Sequence, residues 1–198
     1  AQCSFVCPHA VIRTFYLTEE EYQKAPDYVK ERCSKPIEKN LADYYFIIGV
    51  SVKDCTGCRL CMNTCPGRGG QKALIPKELD IEIKNKEQDI ADYLFNNISE
   101  KNIFTTTTIK GTQTREPKFC FSGACAGCGE TPYIKLLTQM FGDRMIVANA
   151  TGCSSIYGAS APSMPYTVPW ASSLFEDNAE YGYGMLVASN VMRNRIRK

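Results

Sequence analysis

The sequence predicts two domains, an α+β domain organised around closely spaced cysteines and then the first part of an α/β domain. Three observations support this division. Four cysteines lie within residues 55–65, residues 105–118 are polar and turn-prone, and strand-like and helix-like segments alternate after residue 119. The length of 198 residues allows one or two domains.

Composition and charge narrow the class of protein. The chain is 44% hydrophobic and 22% charged, which is typical of a soluble globular protein. The net charge of +2 argues neither for nor against nucleic acid, and because the sequence has no basic arm or stripe we expect no nucleic-acid partner. No apolar run is long enough to span a membrane, and residues 1–10 do not resemble a signal peptide. Eleven cysteines, mostly two or three residues apart, predict metal ligands in a reducing intracellular environment rather than disulfides.

The first domain shows four recognisable elements. Residues 1–12 are expected to form a ligand loop that passes into a short apolar element. Thr18 and Glu21 have the spacing of a capping box, so a helix should start there and stop near Pro26. Residues 43–52 have the composition of a strand, and residues 87–98 have the period of an amphipathic helix.

The second domain has the alternation of an α/β fold. Residues 131–141 predict a helix with Pro132 in its first turn, where a missing N–H is tolerated. Residues 143–150 predict a buried strand, and residues 151–160 predict a glycine- and serine-rich turn at its carboxyl end. Residues 173–195 predict a further helix.

Two cysteine runs have the spacing of iron–sulfur ligands. Cys55, Cys58, Cys61 and Cys65 form a C-x2-C-x2-C-x3-C-P run, in which the fourth cysteine ligates the other cluster of a two-cluster ferredoxin. Cys3-x3-Cys7-Pro8 matches the end of a second such run. We therefore expect one further cysteine immediately before Ala1 and another three residues earlier.

The crossed pattern of ligation assigns the cysteines to two 4Fe–4S clusters. Cys7 should join Cys55, Cys58 and Cys61 at one cluster, while Cys3 and Cys65 should serve the other. C-x2-C pairs also bind zinc, but three cysteines at two-residue intervals followed by Cys-Pro favour iron–sulfur.

A third cysteine group lies in the second domain. Cys125 and Cys128 form a C-x2-C pair, and Cys153 follows the predicted strand. By spacing alone the pair suits a metal site or a thioredoxin-like redox pair, and a fourth ligand would have to lie beyond Lys198. Cys33 and Cys120 match no motif, and lone thiols of this kind are usually small buried apolar groups. His9 is predicted to make a structural hydrogen bond rather than bind metal.

The segments 121–166 and 173–185 resemble one family, pyruvate:ferredoxin (flavodoxin) oxidoreductase. Its "GCGETPY" and "NATGCSS" stretches are not features of iron–sulfur runs in general. The resemblance implies an internal fragment of a longer polypeptide, with an α+β two-cluster ferredoxin-like domain at 1–104, a linker at 105–118, and part of an α/β thiamine diphosphate-binding domain at 119–198. The loop between Pro165-Tyr166 and Pro169-Trp170 is shorter than is usual in the family.

The resemblance also implies cofactors and residue roles. Cys125, Cys128 and Cys153 would ligate a third 4Fe–4S cluster near the thiamine, and Glu130 and Cys153 would contact thiamine diphosphate. The Mg2+-diphosphate motif and a fourth cysteine would follow Lys198. No residue of this chain is assigned as catalytic, and the isolated chain should not turn over pyruvate.

The implied reaction is the oxidative decarboxylation of pyruvate with coenzyme A, yielding acetyl-CoA and CO2 and passing electrons to ferredoxin or flavodoxin. A homodimer in the cytoplasm, or in a hydrogenosome, would suit the family. Another 2-oxoacid as substrate, or NADP as acceptor, remains an alternative. So do a stand-alone iron–sulfur electron-transfer module and a zinc-stabilised structural protein.

Overall fold

The structure, a computed structural model, describes residues 2–67, 69–160 and 162–197, and it has a mixed α/β architecture with two small sheets. Ala1 and Lys198, the predicted outer bounds of the two domains, lie outside the described residues. None of the described helices is both long enough and apolar enough to cross a membrane. The helices are α1 (Gln2–Val6), α2 (Glu19–Lys24), α3 (Asp27–Lys30), α4 (Leu60–Thr64), α5 (Leu79–Lys84), α6 (Glu87–Asn97), α7 (Ile109–Thr112), α8 (Thr131–Phe141), α9 (Cys153–Gly158) and α10 (Phe175–Ile196).

The first sheet pairs β1 (Ile12–Leu17) antiparallel with β2 (Tyr45–Val50), Ile12 facing Val50 and Leu17 facing Tyr45. The predicted strand and the predicted amphipathic helix α6 are both confirmed. One face of the sheet packs on α6, because the strand residues and the helix place apolar side chains on their facing sides. The resulting core contains Leu17, Ala25, Val29, Ile47, Ile90, Leu94 and Ile98.

The connection between these strands begins with the predicted capping box. The Glu21 N–H donates to Thr18 Oγ1 over 3.3 Å, and the Thr18 N–H donates to Glu21 Oε2 over 2.9 Å. Helix α2 ends before Pro26, which precedes α3, so the predicted interruption is also confirmed. The predicted ligand loop at residues 1–12 is partly wrong, since Gln2–Val6 forms a helical turn.

Residues 105–118, predicted as a linker, pack against both halves of the molecule. They include α7, and the Gln113 side chain that follows it is buried. Gln113 accepts a hydrogen bond from Ser4 Oγ over 2.9 Å and donates one to Gln139 Oε1 over 2.9 Å. The segment therefore joins α1 to α8 through buried side chains, while the domain boundary itself stays a prediction.

The second sheet is smaller than the sequence suggests. Strand β3 (Val147–Asn149) pairs in parallel with β4 (Trp170–Ser172) alone among the described residues, and none of its side chains is fully buried. The predicted strand at 143–150 forms as β3 but is shorter and less buried than expected: Val147 borders the cluster of Phe119, Tyr157 and Tyr166, and α10 contacts the strand without burying it fully. In the segment 151–160, only the first two residues belong to the predicted turn, because helix α9 begins at Cys153. The predicted helices at 131–141 and 173–195 are confirmed as α8 and α10.

Candidate metal centres

The first candidate centre gathers four cysteines near the end of α1. Cys7 is buried and follows the last residue of α1, while Cys61 lies in α4, and both thiols border a small apolar cluster with Val11 and Ile12. Burial raises the pKa of the Cys61 thiol, and the nearby thiols of Cys7, Cys55 and Cys58 raise it further. The four cysteines predicted to share a cluster are therefore electrostatic neighbours, while the ligation itself stays a prediction.

The second candidate centre involves Cys3 and Cys65. Burial raises the pKa of Cys3, and the thiol of Cys65 contributes to that shift, so these two residues are also neighbours. Cys65 has the opposite shift, because the backbone N–H groups of Ala73 and Gly67 point at its sulfur and lower its pKa. Hydrogen bonds of this kind stabilise thiolates, which are the form that binds iron.

All eleven cysteines lie among the described residues, and none of them forms a disulfide. Within residues 2–67, 69–160 and 162–197, no three His, Cys, Asp or Glu side chains lie close enough together to hold one metal ion directly. The two groupings above are therefore groupings of neighbouring thiols, not closed coordination shells.

The third cysteine group lies on the loop before α8 and on α9. The Cys128 N–H donates to the Cys125 carbonyl oxygen over 3.0 Å, which closes a tight turn around Gly127. Cys153 is exposed at the start of α9, and the structure does not bring it together with the other two as a single ligand group among the described residues. Helix α9 nevertheless lies near this loop. The thiol of Cys128 is close enough to Tyr157, a residue of α9, to raise its pKa.

Gly127 places this loop directly against the first candidate centre. A Cβ atom at Gly127 would lie 3.6 Å from Cys58 Cβ and 4.0 Å from Leu60 Cδ1. Its φ of +75° lies in the left-handed region, which glycine adopts at no steric cost. The Cys55–Cys61 loop and the Cys125–Cys128 loop are therefore adjacent, so close that a single added Cβ atom would bring them into van der Waals contact, a feature that the sequence did not predict.

Glu130 is exposed next to the third cysteine group, beside two buried tyrosines. Burial raises the pKa of Tyr166 to about 12, with a further contribution from the Glu130 carboxylate. Burial and then Glu130 also raise the pKa of Tyr157, although among the described residues the Tyr157 hydroxyl has no partner within hydrogen-bonding geometry. The carboxylate and this orphaned hydroxyl leave polar groups at the site for a ligand.

His9 makes the predicted structural contact. The buried ring lies with Nδ1 3.0 Å from the Ser122 carbonyl oxygen, and the Phe121 N–H donates to the His9 carbonyl oxygen over 2.9 Å. Through these two hydrogen bonds, His9 connects the loop after Cys7 to the residues that precede the Cys125–Cys128 loop. Of the two unassigned cysteines, Cys33 borders the first core, and burial raises its pKa to about 11. Burial also raises the pKa of Cys120, whereas the neighbouring Arg13 guanidinium lowers it.

Lys135 is the functional candidate that motif searching missed. It lies on α8, only 1% of its surface is exposed, and its ammonium group donates to three carbonyl oxygens of the cysteine-bearing first segment. The acceptors are Phe5 at 3.1 Å, Cys7 at 3.2 Å, and Ser4. The available signal was that Thr131, Lys135, Thr138 and Gln139 form a polar stripe along one face of the predicted helix.

Similar proteins place the chain in a class of enzymes. It is 48% identical over 202 residues to a pyruvate-flavodoxin oxidoreductase of Klebsiella pneumoniae, an alignment that covers 98% of this chain and 17% of the relative. A pyruvate:ferredoxin oxidoreductase of Moorella thermoacetica is 49% identical over 194 residues, covering 94% and 16% respectively. A pyruvate dehydrogenase (NADP+) of Cryptosporidium parvum is 48% identical over 203 residues, covering 99% and 10%. By their names, all three are oxidoreductases that act on pyruvate.

Along nearly its whole length the chain matches part of proteins named pyruvate:ferredoxin or pyruvate-flavodoxin oxidoreductase, so the resemblance predicted from its motifs is confirmed. It spans 10–17% of the length of the curated relatives that it matches here. No protein-family model matches the chain.

Proposed function

We propose that the natural protein carrying this chain is a pyruvate:ferredoxin (flavodoxin) oxidoreductase. It would oxidatively decarboxylate pyruvate with coenzyme A to acetyl-CoA and CO2, and pass the two electrons to ferredoxin or flavodoxin. The observation that carries this proposal is the near-50% identity along 98% of the chain to relatives named for that reaction.

Within that protein, this chain would hold the electron-exit path. Cys7, Cys55, Cys58 and Cys61 would ligate one 4Fe–4S cluster, and Cys3 and Cys65 would contribute to a second. The backbone N–H groups around Cys65 favour its thiolate form, and the proximity of Cys61 to the other three thiols, and of Cys3 to Cys65, fits shared ligation. Such clusters supply one-electron transfer when bound.

A third 4Fe–4S cluster would be ligated by Cys125, Cys128 and Cys153, together with a residue outside this chain. The proximity of Gly127 to Cys58 supports a short path from this cluster toward the one at Cys55–Cys61. Short separation matters because the protein's contribution to cofactor chemistry is chiefly to position the reactive groups.

Thiamine diphosphate with Mg2+ would supply the decarboxylation chemistry at the same end of the molecule. From this chain, Glu130 and Cys153 would contact it. The exposed Glu130 carboxylate beside the unpartnered Tyr157 hydroxyl fits a polar ligand, and the residues that bind Mg2+ would belong to another part of the protein.

A second acceptor is favoured by a specific observation. The Cryptosporidium relative is named for NADP+ and matches this chain as closely as the bacterial ones do. NADP in place of ferredoxin or flavodoxin is therefore the main alternative, followed by another 2-oxoacid as substrate.

The test is to purify the natural protein under anaerobic conditions and measure iron, acid-labile sulfide and electron transfer. We expect reduction of flavodoxin or methyl viologen that requires both pyruvate and coenzyme A. Parallel assays with 2-oxoglutarate and with NADP+ would distinguish the alternatives. Iron and sulfide without any 2-oxoacid-dependent reduction would indicate a stand-alone electron-transfer module, and bound zinc without iron would refute the iron–sulfur assignment.

A further inference from the structure

Lys135 is a buried cation without a carboxylate partner. Among the ion pairs of the described residues, none includes Lys135. Lysine is almost never fully buried unless it is paired, because removing an ammonium group from water is expensive. Three backbone carbonyl oxygens satisfy its hydrogen bonds but supply no net negative charge.

The surroundings of Lys135 contain a second cation and two candidate cluster ligands. Lys135 and Arg13 line the same cavity, and the Lys135 ammonium group donates to the Cys7 carbonyl oxygen over 3.2 Å. Arg13 is itself held by the Ala10 carbonyl oxygen at 3.1 Å and lies over the Phe95 ring at 4.2 Å. Cys7 is therefore the candidate ligand in direct contact with Lys135, and Cys3 lies on the same short helix as the acceptors Ser4 and Phe5, whereas Arg13 also faces Cys120 and Glu116.

We propose that Lys135 is the counter-cation of the clusters anchored by Cys7 and Cys3, and that its charge raises their reduction potentials. This inference rests on the proposed function only through the cluster assignment. Reduction adds one electron to a 4Fe–4S cluster and so increases its negative charge. A fixed positive charge in a dry site stabilises the reduced form more than the oxidised form. The electron comes from dithionite in the test below, and from 2-oxoacid oxidation in the proposed reaction.

The position of Lys135 also ties this tuning to domain contact. Lys135 lies on α8, which starts directly after the Cys125–Glu130 loop. The three carbonyl oxygens that accept from Lys135 belong to α1 or to Cys7 just after it. Buried side-chain hydrogen bonds from Ser4 to Gln113 and from Gln113 to Gln139 join the same two helices. The second domain thus supplies the positive charge to clusters whose ligands lie in the first.

The experiment compares the natural protein with Lys135→Met, which removes the charge, and Lys135→Arg, which keeps it. Each protein is titrated anaerobically with dithionite, and the reduced clusters are followed by electron paramagnetic resonance. We expect Lys135→Met to disfavour reduction of at least one cluster about tenfold, which is about 59 mV for a one-electron couple. Lys135→Arg should stay near the wild-type potentials. Lys110→Met is the matched control, because Lys110 is a surface lysine paired with Glu38.

Each result decides the inference. Unchanged potentials in a Lys135→Met protein with full iron content would overturn it and leave the proposed function intact. If Lys135→Met fails to retain iron, retention by Lys135→Arg supports the need for a charge, whereas loss in both variants overturns it. A shifted potential in a protein without pyruvate activity would uphold the inference and refute the proposed function. Absence of iron from the wild-type protein would refute both.

Discussion

At the scale of single residues, the candidate ligand Cys65 and the unassigned Cys33 have opposite surroundings, whereas the candidate ligands Cys3 and Cys61 resemble Cys33 in that burial raises the pKa of each. The sulfur of Cys65 faces backbone N–H groups that lower its pKa. Cys33 borders apolar side chains, and burial raises its pKa to about 11. Thiolates are the metal-binding form, so the two environments favour different chemistry. For Cys65 and Cys33, cysteine spacing alone indicated the same division.

Replacing one proposed ligand should remove a cluster. We expect Cys61→Ser to lower the iron content of the natural protein by about one cluster of three, because serine is a poor substitute for a thiolate ligand. Cys33→Ser is the matched control and should keep the full iron content. The measurement is iron and acid-labile sulfide per polypeptide. Full iron in Cys61→Ser, or equal loss in both variants, would contradict the assignment of Cys61.

At the scale of helices and strands, local signals predicted more than packing signals did. The capping box of α2, the position of Pro132 in α8 and the period of α6 were all predictable, because each depends on residues within one or two turns. The extent of β3 was not, since a strand's length and burial depend on what pairs with and covers it.

Helix α8 shows why a correct helix prediction did not reveal its role. Its buried face carries Thr131, Lys135, Thr138 and Gln139, whereas Tyr133, Leu137 and Phe141 are exposed. An amphipathic pattern normally predicts an apolar buried face. Here the polar face is buried because α1 and residues 113–118 present hydrogen-bonding groups to it, such as the Lys118 N–H on Thr138 Oγ1 at 3.1 Å. The sequence shows the two faces but not which one faces inward.

The capping box provides a test at this scale. Thr18→Ala removes the side-chain acceptor for the Glu21 N–H and should destabilise α2 by about 1 kcal/mol. Hydrogen exchange of the α2 amides should become about fivefold faster, since local opening becomes easier by that amount. Thr107→Ala, at an exposed threonine outside any helix cap, is the control and should leave α2 unchanged. Equal exchange in wild type and Thr18→Ala would show that the cap contributes no stability.

At the scale of the whole molecule, the contacts between the two predicted domains are polar and cluster around the cysteine loops. Lys135 reaches the carbonyl oxygens near Cys7, Gln113 links Ser4 to Gln139, and His9 contacts Ser122. None of these pairs is close in sequence, so motif spacing could not predict them. Cysteine spacing predicted that Cys7, Cys55, Cys58 and Cys61 would be neighbours, but not that the third cysteine loop would lie beside Cys58.

That proximity can be tested through Gly127. Gly127→Val would add methyl groups beyond a Cβ already 3.6 Å from Cys58 Cβ, and would also strain a left-handed backbone. If electrons pass between these loops, pushing them apart should slow pyruvate-dependent viologen reduction by roughly tenfold, as small displacements of reacting groups do. Gly70→Val is the matched control, because Gly70 has a φ of +80° and no atom of the described residues lies within 4 Å of its Cβ position. This variant would therefore strain the backbone without a steric clash. Iron content must be unchanged in both variants for the rates to be compared. A wild-type rate in Gly127→Val would place the electron path elsewhere, and an equal loss in Gly70→Val would attribute the effect to strain alone.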